Sequence, residues 1–164
     1  MEKTYRQWID AHQDQVWSLA LYLLRNRADA EDVVQEAFTR LWQHRESMHR
    51  DKVGPWLKRV TRNLCLDRLR GAKEEVEPNE NTLIDEHGPE ATLGGEGTAG
   101  RLQALVTALR EPYRSLVVLR DIQQHSYQDV AEITGLSQPQ VKTYLHRARK
   151  SLRQQWTEQE HDQQ

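Results

Sequence analysis

Two stretches of this 164-residue sequence hold side chains whose types and spacing suit chemistry, and the chemistry is recognition of a polyanion. The first is SYQDVAEITGLSQPQVKTYLHRARKSLR, residues 126–153. From Gln140 to Arg153 it carries five Lys or Arg (Lys142, Arg147, Arg149, Lys150, Arg153) and no acid. A solvated surface usually mixes signs, so a one-signed face points to nucleic acid. The second is WLKRVTRNLCLDRLR, residues 56–70, with Lys58, Arg59, Arg62, Asn63 and Arg70 beside one another. Guanidinium groups suit phosphates, and an Asn amide offers a donor and an acceptor to one base edge. The alternative for this second stripe is a basic helix that balances an acidic neighbour in the chain.

The elements that must position these groups are helices. Within 126–153, Ser126 is placed to cap a short helix whose buried side is Val130, Ala131 and Ile133. Gly135 stands where a helix needs a left-handed residue to stop. Ser137 and Gln140 form a capping box for the next helix, with Pro139 in its tolerant first turn. Val141, Leu145, Ala148 and Leu152 recur at helical spacing as the packed side. Opposite them lie Thr143, His146, Arg147 and Lys150, flanked by Gln140 and Tyr144. Two helices around such a corner make a helix-turn-helix, whose second helix enters the major groove in its DNA-binding form.

Upstream, residues 4–25 read as a helix with Tyr5, Trp8, Ile9, His12, Val16, Leu19, Ala20 and Leu23 on one side. His12 lies in that apolar register as a packed histidine, since no second ligand sits one turn away. A second helix is expected from Asp29, capped by that residue and burying Val33, Val34, Ala37, Phe38, Leu41 and Trp42. Its other face shows Glu31, Asp32, Gln35 and Glu36, which alone would be plain solvated surface. Residues 44–52 read as a connecting loop. Gly54-Pro55 opens a third helix, with Trp56, Leu57, Val60, Leu64 and Asp67 sharing a packed face, so Asp67 is expected to pair with an arginine from a neighbouring helix or with polar backbone.

Charge is segregated along the chain although the net charge is only −2. Residues 52–73 hold seven basic groups against Asp67 alone, and residues 74–100 hold eight acids and no Lys or Arg. With two prolines and five glycines, 74–100 reads as a flexible acidic linker in which Leu83 and Ile84 offer a weak docking spot. The expectation is therefore an all-α chain of two small helical domains, 1–73 and 101–156, joined by that linker and followed by a frayed polar tail, 157–164.

Cys65 is alone, which removes an intrachain disulfide or a cysteine metal site. The seven histidines are scattered and no Gly-rich phosphate loop follows a strand, so no catalytic residue, cofactor or metal is expected. No apolar run approaches the roughly 20 residues that cross a bilayer, and the first ten residues lack a signal-peptide layout. A cytoplasmic protein without membrane insertion is the expectation.

The two halves together resemble the extracytoplasmic-function (ECF) sigma factors, the shortest sigma-70 relatives of bacterial RNA polymerase. The resemblance covers residues 4–156 through three stretches in order. DAEDVVQEAFTRLWQH is similar to the region-2 helix that binds the polymerase clamp. WLKRVTRNLCLDRLR, with Asn63, Asp67 and Arg70 in an N-x-x-x-D-x-x-R arrangement, resembles the helix that reads the −10 element. Residues 126–153 resemble the region-4 helix-turn-helix that reads the −35 element; Pro139 and Tyr144 depart from the usual pattern there, at its DNA-facing start.

This resemblance implies a non-enzymatic promoter-specificity subunit whose partners are core RNA polymerase and promoter DNA, with an anti-sigma factor as a further candidate. It turns Asp29, Glu31, Asp32, Gln35 and Glu36 into a polymerase-binding face. It assigns Lys58, Arg59, Arg62, Asn63 and Arg70 to the −10 element. Gln138, Gln140, Lys142, Thr143, Tyr144, His146, Arg147 and Lys150 fall to the −35 element. Two rivals stand beside it. A stand-alone helix-turn-helix regulator leaves the stripe at 58–70 unexplained, and a helical adaptor gives no reason for an acid-free recognition helix.

Overall fold

The computed structural model describes residues 2–72, 83–84 and 97–162, and the chain divides into two compact units, 1–75 and 76–164. Most of the acidic stretch 74–100 lies outside the described residues.

The first unit is three mutually packed helices: α1 (Glu2–Leu24), α2 (Arg27–Gln43) and α3 (Val53–Ala72). Two single 3₁₀ turns, Arg45–Ser47 and Arg50–Lys52, lead into α3 where a plain loop was expected. Val16 of α1, Ala37 and Leu41 of α2, and Val53 and Leu57 of α3 meet without solvent exposure to form the centre of the core. Tyr5, Ile9, Val34, Trp56, Val60 and Leu64 pack around it half-buried.

The start of α2 differs from expectation. Asn26 rather than Asp29 is the cap: its backbone is extended (φ −147°, ψ 121°) and its side-chain oxygen accepts the Asp29 amide at 3.0 Å. Asn is as good a cap as Asp, and here it stands one residue before the helix, three residues earlier than the Asp29 cap would stand. Asp29 is thereby in the first turn, where its charge still favours the helix N-terminus.

The second unit holds α4 (Thr98–Thr107), α5 (Tyr113–Val117), α6 (Tyr127–Thr134) and α7 (Gln138–Asp162). α5 runs on into one π turn, Val118–Ile122, before the chain reaches the corner. Leu105, Val106, Leu109, Leu116, Leu119, Val130, Ile133, Val141 and Leu145 are its buried apolar groups. Arg114 is buried among them, but its guanidinium bonds Glu111 and the Thr107 carbonyl, both at 3.2 Å, so the charge is neutralised in place.

Besides giving α4 its first residues, the acidic stretch meets this unit at Leu83 and Ile84. Ile84 bridges to Leu109 in antiparallel fashion, the Arg110 amide donates to the Leu83 carbonyl at 2.6 Å, and Arg110 Nε donates to the Ile84 carbonyl at 3.2 Å. The two residues thus do dock, held by backbone pairing and by the Arg110 side chain.

The segment after Trp156 does not fray as expected; α7 continues to Asp162. Arg101 of α4 stacks on the Trp156 ring at 3.7 Å and bonds both the Trp156 carbonyl and Gln159 Oε1. That tertiary clamp lies some 55 residues away in sequence and could not be read from the polar composition of the tail.

Candidate nucleic-acid and protein interfaces

The corner at 126–153 is built by its caps. Ser126 Oγ accepts the Asp129 amide at 3.1 Å and opens α6. Gly135 ends it at φ 78°, ψ 6°, a conformation that costs an L side chain about 1 kcal/mol or more, and its amide reaches the Ala131 carbonyl at 2.8 Å. Thr134 Oγ1 then receives the Leu136 amide at 3.3 Å across the turn. Ser137 Oγ accepts the Gln140 amide at 3.2 Å while Gln140 Oε1 accepts the Ser137 amide at 3.0 Å. These reciprocal bonds form the capping box read in the sequence.

With the start of α7 held in this way, Val141, Leu145 and Ala148 face the core. Gln138, Gln140, Lys142, Thr143, His146, Arg147 and Lys150 are exposed. Tyr144 is half-buried: its ring meets the Tyr113 ring edge-on at 5.6 Å, and the Arg147 guanidinium lies 5.6 Å from it. Tyr144 therefore supports this face as much as it belongs to it. Lys142 sits 5.3 Å from the Tyr127 ring, with Arg120 at 4.3 Å from the same ring. Arg149, one of the five cations of the stretch, is turned inward. It grips both carboxylate oxygens of Asp121 at 2.6 and 3.0 Å, and that hydrogen bonding is the first cause of its raised pKa.

The stripe on α3 is split. Arg59, Asn63 and Arg70 are exposed and lie within roughly 40° of one another around the helix. Lys58 and Arg62, expected beside them, are 1% and 8% exposed and belong to the interior. The Lys58 ammonium bonds Gln15 Oε1 on α1. Both residues are corrected from surface cations to packed ones. The packed face of α3 also differs: it runs through Leu57, Thr61 and Cys65, with Thr61 Oγ1 satisfied by the Leu57 carbonyl at 2.6 Å. Asp67 is correspondingly not buried. Its side chain is 72% exposed and its arginine partner is Arg70 of the same helix, at 3.8 Å, rather than one from a neighbouring helix.

The cause is that α3 packs against both α1 and α2. A helix held between two neighbours buries an arc wider than the usual apolar stripe, so long basic side chains at its edge are covered along their stems. His12 shows how close this packing is: a Cβ on Gly54 would stand 3.2 Å from its Cε1. Burial first, and the Lys58 charge second, hold the His12 imidazole below the usual histidine range.

On α2, Glu31, Asp32, Gln35 and Glu36 are exposed and Asp29 is half-buried. Glu36 pairs with Arg40 one turn on at 3.0 Å. Gln35 and Thr39 edge a shallow groove between α1 and α2 lined by Tyr5, Ile9, Val34 and Phe38, where the Tyr5 hydroxyl donates to the Phe38 carbonyl at 2.7 Å. Across from the acids stands a residue that sequence reasoning passed over. Arg68 of α3 bonds Asp29 Oδ1 at 3.0 Å and Asp32 Oδ2 at 3.4 Å. The acids 29 and 32, three apart in the sequence, could have signalled a shared cation, but not which helix supplies it.

Among the described residues no group of three His, Cys, Asp or Glu is placed to hold a metal, and no helix is long and apolar enough to cross a membrane.

Comparison with known proteins places both units. Residues 8–75 match the family model of sigma-70 region 2, and residues 99–152 match that of sigma-70 region 4. Over 147 residues the chain is 33% identical to the ECF RNA polymerase sigma factor SigE of Mycolicibacterium smegmatis, covering 87% of this chain and 57% of that protein. Over 160 residues it is 31% identical to the ECF RNA polymerase sigma factor SigW of Bacillus subtilis, covering 90% and 86%. In fold it is similar to the sigma factor RpoE of Bartonella quintana, crystallised with the anti-sigma factor NepR. The TM-score is 0.73 at 22% identity, over 93% of this chain and 96% of that one. It is likewise similar to CnrH in complex with the cytosolic domain of CnrY, at TM-score 0.72 and 22% identity, over 96% and 90%.

Proposed function

The chain belongs to the extracytoplasmic-function sigma factors of the sigma-70 family, subunits that direct RNA polymerase to promoters, and we propose that here the work is divided among three surfaces. Residues 101–156 take the −35 element with the exposed face of α7, where Lys142, Arg147 and Lys150 meet phosphates and Gln140 and Thr143 meet base edges. Residues 1–73 take the −10 element with Arg59, Asn63 and Arg70 of α3. A strand opened there loses stacking, which pocket contacts and strand electrostatics must offset. The exposed acids and amide of α2, Glu31, Asp32, Gln35 and Glu36, take the clamp of the polymerase, where acids call for basic partners.

The observation that carries this division is the capped corner itself. Its bonds fix where α7 starts, and Val141, Leu145 and Ala148 packed on the core leave Arg147 and Lys150 outward and Arg149 on Asp121. A stand-alone regulator would use such a helix too, but would have no use for the acids of α2. This role asks for no bond-making from the chain, so we assign it no catalysis, and we place it in the cytoplasm with the polymerase it serves. An anti-sigma factor is a further proposed partner, since a protein of this fold is held by one.

The test is a titration of core polymerase with the full chain and with the Asp32→Lys/Glu36→Lys double variant. Charge reversal at two exposed contacts is expected to weaken binding by about ten-fold or more, from unfavourable like-charge contact at the interface. Unchanged binding of a folded double variant sinks the α2 assignment. The lack of any stoichiometric complex with the unaltered chain sinks the promoter-subunit mechanism as a whole.

A further inference from the structure

We propose that Arg68 is an internal competitor for the polymerase: its guanidinium occupies Asp29 and Asp32 in the free chain and must yield them when a basic surface docks on α2. This rests on the reading of α2 as a polymerase contact.

Arg68 stands apart from the nucleic-acid stripe on its own helix. It lies roughly 140° from Asn63 and 180° from Arg59 around α3, so it faces α2 and not the side that presents Arg59, Asn63 and Arg70. Its two terminal nitrogens divide between two carboxylates, Asp29 at 3.0 Å and Asp32 at 3.4 Å. Those acids are one helical turn apart at the start of α2, so a single fork spans the interval.

All three side chains are about half exposed, at 42%, 51% and 62%. Ion pairs in such water-rich surroundings are weak and screened by salt. The bridge therefore holds the acids in place without locking them, and an incoming cation can replace Arg68. Replacement has two consequences. The polymerase must displace one cation before it gains the full field of the acids, which lowers its affinity. Fewer acids are also offered to other basic partners, which favours a surface able to engage Glu31, and Glu36 in place of Arg40, as well. Arg68 thus sets the threshold of the interface.

The test compares the full chain with R68Q and R68K variants, each titrated with core polymerase across a range of salt, with thermal melts in parallel. R68Q removes the competing charge and is expected to bind core polymerase about three- to ten-fold more tightly, with a steeper dependence on salt. R68K, which cannot fork between two carboxylates, is expected to fall between R68Q and the unaltered chain. A bridge that merely orients the acids would have the opposite sign, so weaker or unchanged binding of R68Q overturns the proposal. Should R68Q fail to fold, R68K decides: tighter binding supports competition, and equal or weaker binding ends it. If Asp32→Lys/Glu36→Lys binds unchanged, the α2 assignment has failed instead, whatever Arg68 does.

Discussion

α3 and α7 are both helices rich in lysine and arginine, yet they place these residues differently. α7 packs on its unit through one face, so its cations divide cleanly: Arg147 and Lys150 to water, Arg149 onto Asp121. α3 lies against two other helices, and its cations are sorted three ways. Lys58 and Arg62 are interior, Arg68 binds the acids of α2, and Arg59 and Arg70 stay outside with Asn63. A basic run is thus a record of exposure where a helix buries only a narrow stripe, as α7 does along α4, α5 and α6. Where the buried arc is wide, as on α3, the same run mixes structural and functional charges.

Lys58 and Arg59 differ most sharply of these side chains. Lys58→Ala should lower the stability of the first unit by about 2 kcal/mol, because a buried four-carbon stem leaves a cavity that only partly relaxes. Arg59→Ala next to it should stay within about 0.5 kcal/mol. Urea unfolding followed by tryptophan fluorescence reports chiefly on this unit, which holds Trp8, Trp17, Trp42 and Trp56 of the five tryptophans. Equal stability of the two variants would put Lys58 back on the surface.

α7 should behave in the reverse sense. Arg147→Ala with Lys150→Ala should leave the melting temperature near that of the unaltered chain while promoter affinity drops by about ten-fold. The slope of log affinity against log salt should shrink by about one for each phosphate that the variant no longer neutralises. An unaltered slope would remove both residues from the DNA backbone.

A smaller effect is expected at the corner. Ser137→Ala deletes the acceptor for the Gln140 amide and should cost about 1 kcal/mol, read in the thermal melt of the second unit. A loss below about 0.3 kcal/mol would mean that packing at Val141 and Leu145, and not the capping box, sets the start of α7.

The finest test is the pH dependence of the first unit. His12 is held below its ordinary value, so as pH falls the unfolded chain takes up the proton before the folded one does. The stability linked to this ring is therefore complete above about pH 6.5 and declines below it, until the folded ring also protonates. His12→Gln should flatten that decline between pH 7 and pH 5 in urea midpoints. An identical pH profile for the variant would separate the ring from the packing around Gly54 and Lys58.

What the sequence determined by itself was local. Ser126, Gly135, Ser137 and Gln140 specify the corner through bonds that span no more than four residues. The spacing of Val141, Leu145 and Ala148 then follows from helix geometry alone, which is why the outward face of α7 was legible. The docking of Leu83 and Ile84 was legible too, as two apolar groups in a polar stretch. Only the tertiary structure decided the rest. The rotation of α3 depends on what α1 and α2 together cover, and a period of 3.6 residues cannot say how wide an arc a helix's neighbours will bury. That is why Asp67 moved out and Lys58 and Arg62 moved in. The same holds for Arg101 on Trp156 and for Arg68 on Asp29 and Asp32, pairings across 55, 39 and 36 residues that no local pattern encodes. Charges at such separations find partners only once packing has brought their helices together.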